Sequence, residues 1–186
     1  MQPIVIQLER PRVQRLLEPY RQKIGRDYDG DRNHVMRTIT YAMHFLQQQP
    51  TLVSLVETAF VYHDIGLWTD RKLAYLEPSE AMALRDNQRY LWGLDDEALR
   101  GAIHWHHKVF PYRGLNQELI EACRKADWID ATQGWIRKGI SRREIARVEA
   151  AFPNCGFHQS LMRLAKDYSG STLLGGLKVF RGIVKW

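Results

Sequence analysis

Thr51-Leu-Val-Ser-Leu55-Val-Glu-Thr-Ala59-Phe-Val-Tyr-His63-Asp64-Ile65-Gly66 decides how the rest of the chain is read. Leu52, Leu55, Val56, Ala59 and His63 recur at helical spacing and fall on one face. The stretch therefore predicts a helix from Thr51 to about Ile65, with its histidine pointing where the core is. Gly66 is placed to end that helix in the left-handed conformation. The aspartate beside the histidine needs a reason, because Ala59 to Tyr62 are all apolar or aromatic. An ionised carboxylate buried alone is very costly, so Asp64 should be exposed, paired with a cation or bound to a metal. A solvated helix end and a histidine satisfied by one hydrogen bond would produce the same dipeptide.

Upstream, Asp27-Tyr-Asp-Gly-Asp31 reads as a turn that caps a helix running to about Gln49 and stopped by Pro50. Its core stripe is Val35, Ile39, Ala42 and Leu46, and His34, Thr38, Tyr41 and Phe45 lie beside it. An earlier helix covers about Val13 to Ile24, after a lead that Pro3 and Pro11 keep irregular. Downstream, a loop from Trp68 to Pro78 precedes helices near 79–92 and 95–107, the second capped by Asp95. Further helices are expected near 116–132, 141–151, 157–168 and 172–184. No stretch shows the sustained alternation of a half-buried strand. The fold class is all-α, a single-domain helical bundle over 1–186, with the chemistry in about 31–132 and C-terminal helices over about 141–184.

The composition agrees with this outline. With 186 residues, 45% hydrophobic and 26% charged, the chain can bury a sizeable core and is neither collagen-like nor disordered. Two cysteines exclude a disulfide scaffold and make a reducing, cytoplasmic compartment the simpler reading. The first ten residues do not read as a secretory signal, and no apolar run is long enough to span a bilayer. A net charge of +6 favours anionic partners, whether phosphorylated metabolites, nucleic acid or a membrane surface.

Other residues give His63-Asp64 company. His34 lies one helix earlier, and antiparallel packing across the Gln49-Pro-Thr51 turn would carry it towards His63. Asp127 sits among apolar residues in Ala122-Cys-Arg-Lys-Ala-Asp127-Trp-Ile-Asp130. Two imidazoles and two carboxylates suit a divalent transition metal or magnesium, with positions left for water and substrate. On these residues the sequence resembles the HD-domain superfamily of metal-dependent phosphohydrolases. That family's pattern of a His, an adjacent His-Asp pair and a distant Asp falls on His34, on His63-Asp64 and on Asp127, and spans roughly half of the chain.

The resemblance implies a helical bundle and a divalent ion, whether manganese, iron, zinc, cobalt or magnesium, held by His34, His63, Asp64 and Asp127. It also implies hydrolysis of a phosphate ester or anhydride in a nucleotide or related metabolite, with Asp64 able to orient the water. Dinuclear members add histidines between the pair and the last Asp, usually from two helices. This chain has one such cluster, Ile103-His104-Trp-His106-His107-Lys108, and Glu77 or Glu80 where the first extra histidine would fall. One tightly held metal is therefore expected, with a carboxylate-supported second site left open. The lysine some members carry after His-Asp-Ile-Gly is replaced by Leu67, which weakens any transfer of cyclic-dinucleotide phosphodiesterase function.

His104 and His107 share a helix face, whereas His106 points about 100° or more away from each. His104, His107 and Lys108 are candidates to line the pocket, and Glu57 is either a general acid or ordinary polar face. Arg37, Arg71 and Lys72, with Lys108, are candidates to hold phosphate. Asp130 either hydrogen-bonds a ligand histidine or makes a surface ion pair. Trp68, Trp92, Trp105 and Trp128 suit base stacking, although core packing is the commoner use. Cys123 reads as core, His44 as solvated, and His158 as core or surface.

Three functions follow in order. The first is hydrolysis of a small phosphorylated substrate. The second keeps the metal and changes the reaction to hydration of a small nitrile or iron-dependent oxygen insertion. The third is a non-catalytic surface for nucleic acid or another acidic partner, built on Arg137-Lys-Gly-Ile-Ser-Arg-Arg143, Arg147 and the tail Lys178 to Trp186. A homo-oligomer is compatible with all three, and no membrane partner is expected.

Overall fold

The computed structural model describes residues 3–169. Within them ten α-helices are joined by turns and short 3₁₀ segments, and no strand is present among the described residues. The all-α reading holds there. The helix expected near 172–184 and the basic tail lie outside the described residues.

The first helical region is broken into α1 (Pro11–Leu17), α2 (Arg21–Ile24) and two 3₁₀ turns, since Pro19 interrupts the run expected from Val13 to Ile24. The central helix α3 (Tyr28–Phe45) begins earlier than the sequence suggested, with Asp29 and Asp31 in its first turn, where the helix dipole favours negative charge. It is buried on almost every side, so its polar residues need internal partners. Thr38 and Thr40 donate to the carbonyls of His34 and Met36 at 3.0 and 2.7 Å, and Asn33 donates to the Pro153 carbonyl at 2.8 Å. The helix stops at Phe45, not Gln49, because Gln47 and Gln48 adopt positive φ and Gln48 N–H bonds back to Met43 at 2.9 Å.

The helix read over Thr51–Ile65 is divided. A 3₁₀ turn leads into α4 (Val53–Tyr62), His63 and Asp64 form a turn, and α5 (Ile65–Thr69) follows. Gly66 does not end a helix in the left-handed region. It lies inside α5, against the Tyr75 carbonyl, where an added Cβ would sit 2.4 Å from that oxygen. Glycine is required by close approach of backbone to backbone, and the Ser79 hydroxyl accepts from its N–H at 3.0 Å.

Then come α6 (Leu76–Arg89), α7 (Asp96–Trp105), α8 (Gln117–Ala131), α9 (Arg142–Ala151) and α10 (Phe157–Ser169). Asp95 caps α7 by accepting from Ala98 N–H at 2.8 Å, and Ser141 caps α9 through Glu144 N–H at 3.2 Å. The dominant packing is α3 along α8, with α4 against α1, α3, α6 and α7. Leu17, Ile39, Val56, Leu99, Ile103 and Ile129 are among the residues closing this core. The arrangement brings the start of α3, the end of α4, the end of α7 and the middle of α8 to one place.

Candidate metal centre

His34 on α3, His63 and Asp64 in the turn after α4, and Asp127 on α8 converge and are all buried. The His34 and His63 Nε2 atoms lie 2.9 Å apart. Asp127 Oδ1 is 3.7 Å from the first and 3.8 Å from the second, and Asp64 Oδ2 is 3.9 and 3.4 Å from the same atoms. A buried group of His34, His63 and Asp127 with this spacing could hold a metal ion.

The outer ring nitrogens fix how the imidazoles face. His34 Nδ1 donates to Asp130 Oδ2 at 2.6 Å, and His63 Nδ1 donates to the Phe60 carbonyl at 2.7 Å. With both Nδ1 atoms used as donors, both neutral rings would turn Nε2 lone pairs towards each other at 2.9 Å. That contact is repulsive unless a proton or a metal cation lies between them. Burial pushes His63 down to about 3, so it stays neutral. Burial also acts to lower His34, but Asp130, Asp127 and Asp64 outweigh it and raise the ring above its ordinary value. The site is built to hold positive charge between two imidazoles.

The carboxylates divide in the same field. Burial raises Asp127 to about 6 despite the nearby imidazoles. Burial acts in the same direction on Asp64, yet His63, His106 and His34 hold it well below the usual carboxylate range. Asp64 Oδ1 is buried with no hydrogen-bond donor satisfying it. An unsatisfied carboxylate oxygen beside imidazole lone pairs fits a divalent cation by the chemistry of its donors.

Asp130 supports the centre from behind. Burial would raise its carboxyl, but hydrogen bonds from His34 and Arg37 hold it far below its ordinary value. Arg37 Nε also donates to it, as does the Arg37 terminal nitrogen at 2.9 Å, and the other terminal nitrogen donates to the Phe152 carbonyl at 2.8 Å. Phe157 stacks on His34 with ring centres 4.1 Å apart. Asp130 is thus the histidine-orienting carboxylate, not a surface ion pair. Arg37 is spent on the same buried network and not presented to a phosphate.

His106 enters the centre, the member of its cluster set aside as pointing away from the other two. Its Nε2 is 3.5 Å from Asp64 Oδ1 and its Nδ1 donates to the Ile103 carbonyl at 2.6 Å. With His63 and Asp64 it forms a second group of metal-ligating atoms, sharing His63 with the first. The sequence did carry a signal, since His106 continues the buried stripe Leu99, Ala102, Ile103 at helical spacing. Tyr75, also unforeseen, meets His107 Nδ1 at 3.1 Å, and burial beside Asp64 and Asp127 raises its phenol well above the ordinary value. Asp31 is a third: it accepts from Trp68 Nε1 at 2.9 Å, and burial raises its carboxyl to about 7.

The other candidates are dispersed. Glu57 is buried but bound to Arg10 at 2.8 Å, and so ties α4 to the segment that leads into α1. His104 pairs with Glu80 at 2.7 Å. His107 lies behind His106 at 3.0 Å, and burial pushes it down to about 2. Lys108 is buried, its carbonyl accepting from Arg124 and Trp128. Arg71 and Lys72 are exposed on the loop before α6, and Glu77 is exposed in the first turn of that helix. His158 hydrogen-bonds the Asp130 carbonyl at 3.0 Å. Cys123 is buried and Cys155 exposed, both as free thiols. Among the described residues no helix is long and apolar enough to cross a membrane.

Comparison of the chain with protein-family models, with curated proteins and with solved structures finds no match. The functional reading therefore rests on the geometry of the centre.

Proposed function

We propose that this protein is a metal-dependent phosphohydrolase of the HD type, acting on a small phosphorylated metabolite such as a nucleotide. The observation that carries the reading is the pair of inward-facing Nε2 atoms 2.9 Å apart, with both outer nitrogens tied, between the carboxylates of Asp64 and Asp127. His34, His63, Asp64 and Asp127 would hold the metal, and His106 would add a nitrogen on the Asp64 side. A divalent ion there supplies Lewis-acid polarisation of a phosphoryl oxygen and a water acidified towards neutral pH.

The chain's own residues do the rest. Asp130 and Arg37 lock the tautomer and rotation of His34, and the Phe60 and Ile103 carbonyls do the same for His63 and His106. Asp64 offers an unsatisfied oxygen from which a carboxylate can orient a water for attack. Tyr75 keeps its hydroxyl proton at neutral pH and can donate it to a substrate oxygen. His106 also keeps the hydratase and oxygenase reading in second place, because it supplies one of the extra imidazoles those chemistries use.

The test is phosphate release from a panel of nucleoside mono-, di- and triphosphates, with the protein reconstituted in turn with manganese, iron, zinc, cobalt and magnesium. Release that disappears in Asp64→Ala supports the reading. Metal-loaded protein that releases phosphate from no member of the panel would move the second reading ahead of it.

A further inference from the structure

Away from the metal centre, α1, α4 and α6 border a cavity of about 600 Å³, walled by cations and aromatic rings. It shares no lining residue with the groups that could hold a metal. Arg12 and Arg15 enter it from α1, Arg85 and Arg89 from α6, and Asp86 is its one acidic side chain. The volume is within the roughly 300–1,000 Å³ common for small-molecule sites.

The positive charge in this cavity is not compensated from within. Asp86 already accepts from the Tyr62 hydroxyl at 2.7 Å and from Arg85 at 2.9 Å. Glu57, the acidic neighbour of Arg12, is bound to Arg10 at 2.8 Å. Arg12 is half-buried and gives donors to the Thr58 hydroxyl, a neutral partner. Among the described residues, neither Arg15 nor Arg89 has an ion-pair partner. An anion is the missing complement.

The aromatic wall adds a second requirement. Tyr90 and Trp92 stack with ring centres 5.7 Å apart and planes 21° from parallel, yet Tyr90 remains 55% exposed. The Arg12 guanidinium lies 4.9 Å from the Trp92 ring centre and that of Arg89 lies 5.4 Å from Tyr90. A cation held over a ring face keeps its in-plane N–H donors available, in the planar fork that matches phosphate oxygens. A simple anion would use the arginines and leave the exposed ring without a role. An uncharged aromatic ligand would do the reverse.

We propose that this cavity binds a nucleotide, with its base against the Tyr90 and Trp92 rings and its phosphates held by Arg12, Arg15 and Arg89. The site is separate from the metal centre and does not depend on the reaction proposed there.

Isothermal titration calorimetry on the metal-reconstituted 186-residue chain tests this, with ADP, GDP, CDP, UDP, adenosine, pyrophosphate and a short single-stranded oligonucleotide as probes. Arg15→Glu with Arg89→Glu changes two exposed side chains, and Tyr90→Ala another, so folding should survive. At least one diphosphate should bind, and the double charge reversal should weaken it by about tenfold or more, since each charge-assisted contact is worth roughly that factor. Tyr90→Ala should weaken the nucleotide and leave pyrophosphate unchanged, and binding should persist in Asp64→Asn. Binding lost in Asp64→Asn but kept in the charge-reversed protein would place the nucleotide at the metal centre and overturn the proposal. So would failure of all four diphosphates at millimolar concentration, or pyrophosphate binding as tightly as ADP. An oligonucleotide that binds more tightly than any diphosphate through the same arginines would make the surface a nucleic-acid contact instead.

Discussion

Replacing Asp130 with Asn should separate what the carboxylate does for the fold from what it does for the metal centre. Asp130 accepts a hydrogen bond from His34 Nδ1 at 2.6 Å and from two donors of Arg37, with all three side chains almost fully buried. Its carboxyl sits far below the usual range, so the charge is present throughout the neutral range and is lost only in strong acid. The variant leaves Arg37 as a buried cation facing a neutral amide. Breaking one side of such a pair costs about 3–5 kcal/mol. For a chain of this size, at about 2–4 °C per kcal/mol, the melting temperature should fall by about 6–20 °C. Metal affinity should fall about 10- to 100-fold, the usual cost of removing a carboxylate that orients a ligand histidine. Adding Arg37→Met removes the stranded cation and should recover much of the stability, without recovering metal affinity. Urea denaturation and competition with a chromogenic chelator measure the two quantities. An Asp130→Asn protein with wild-type metal affinity, or a double variant that restores it, would refute the assignment of Asp130 to His34.

Other expectations follow from the same contacts. Glu57→Gln strands buried Arg10 and should cost about 3 kcal/mol in urea denaturation while leaving metal content unchanged, which would settle Glu57 as a packing residue. Gly66→Ala drives a methyl group into the Tyr75 carbonyl, so about 1–3 kcal/mol of overpacking strain should appear as a lower unfolding midpoint. Metal affinity should rise with pH through about 6 as Asp127 loses its proton, and further as His34, which the carboxylates hold above its ordinary value, gives up its own. Burial raises Asp127 to about 6, so below that pH a metal must displace a proton, and affinity measured by calorimetry should drop by about tenfold per pH unit for each proton released.

Helical spacing places His63 on a core-facing stripe and His34 on the stripe beside one, Asp127 stands out by its apolar neighbours, and the structure brings the three together. The helix breaks were hidden. Nothing in Tyr62-His63-Asp64 signals a stop, and the turn there accompanies packing of Gly66 on a carbonyl nine residues later in the chain. Gln47 and Gln48 take left-handed geometry without the glycine or asparagine that usually marks it. The shared face of His104 and His107 points away from His106, whereas the deciding stripe is Leu99, Ala102, Ile103 and His106. The partner of Glu57 lies just before α1 and that of Arg37 on α8, and no local pattern connects such distant residues. Periodicity shows which way a side chain faces, not which distant group will meet it.

Metal content, measured by plasma mass spectrometry on untagged protein after reconstitution with each divalent ion, tests the central claim most directly. Wild type should hold at least about one metal per chain and Asp64→Ala almost none, with the circular dichroism of the two superimposable, since the core does not depend on the ion. His106→Ala should keep one metal through His34, His63, Asp64 and Asp127, and any second equivalent should be lost. A wild-type chain that takes up no metal under any of these conditions, or an Asp64→Ala protein that binds as much as wild type, would contradict the account.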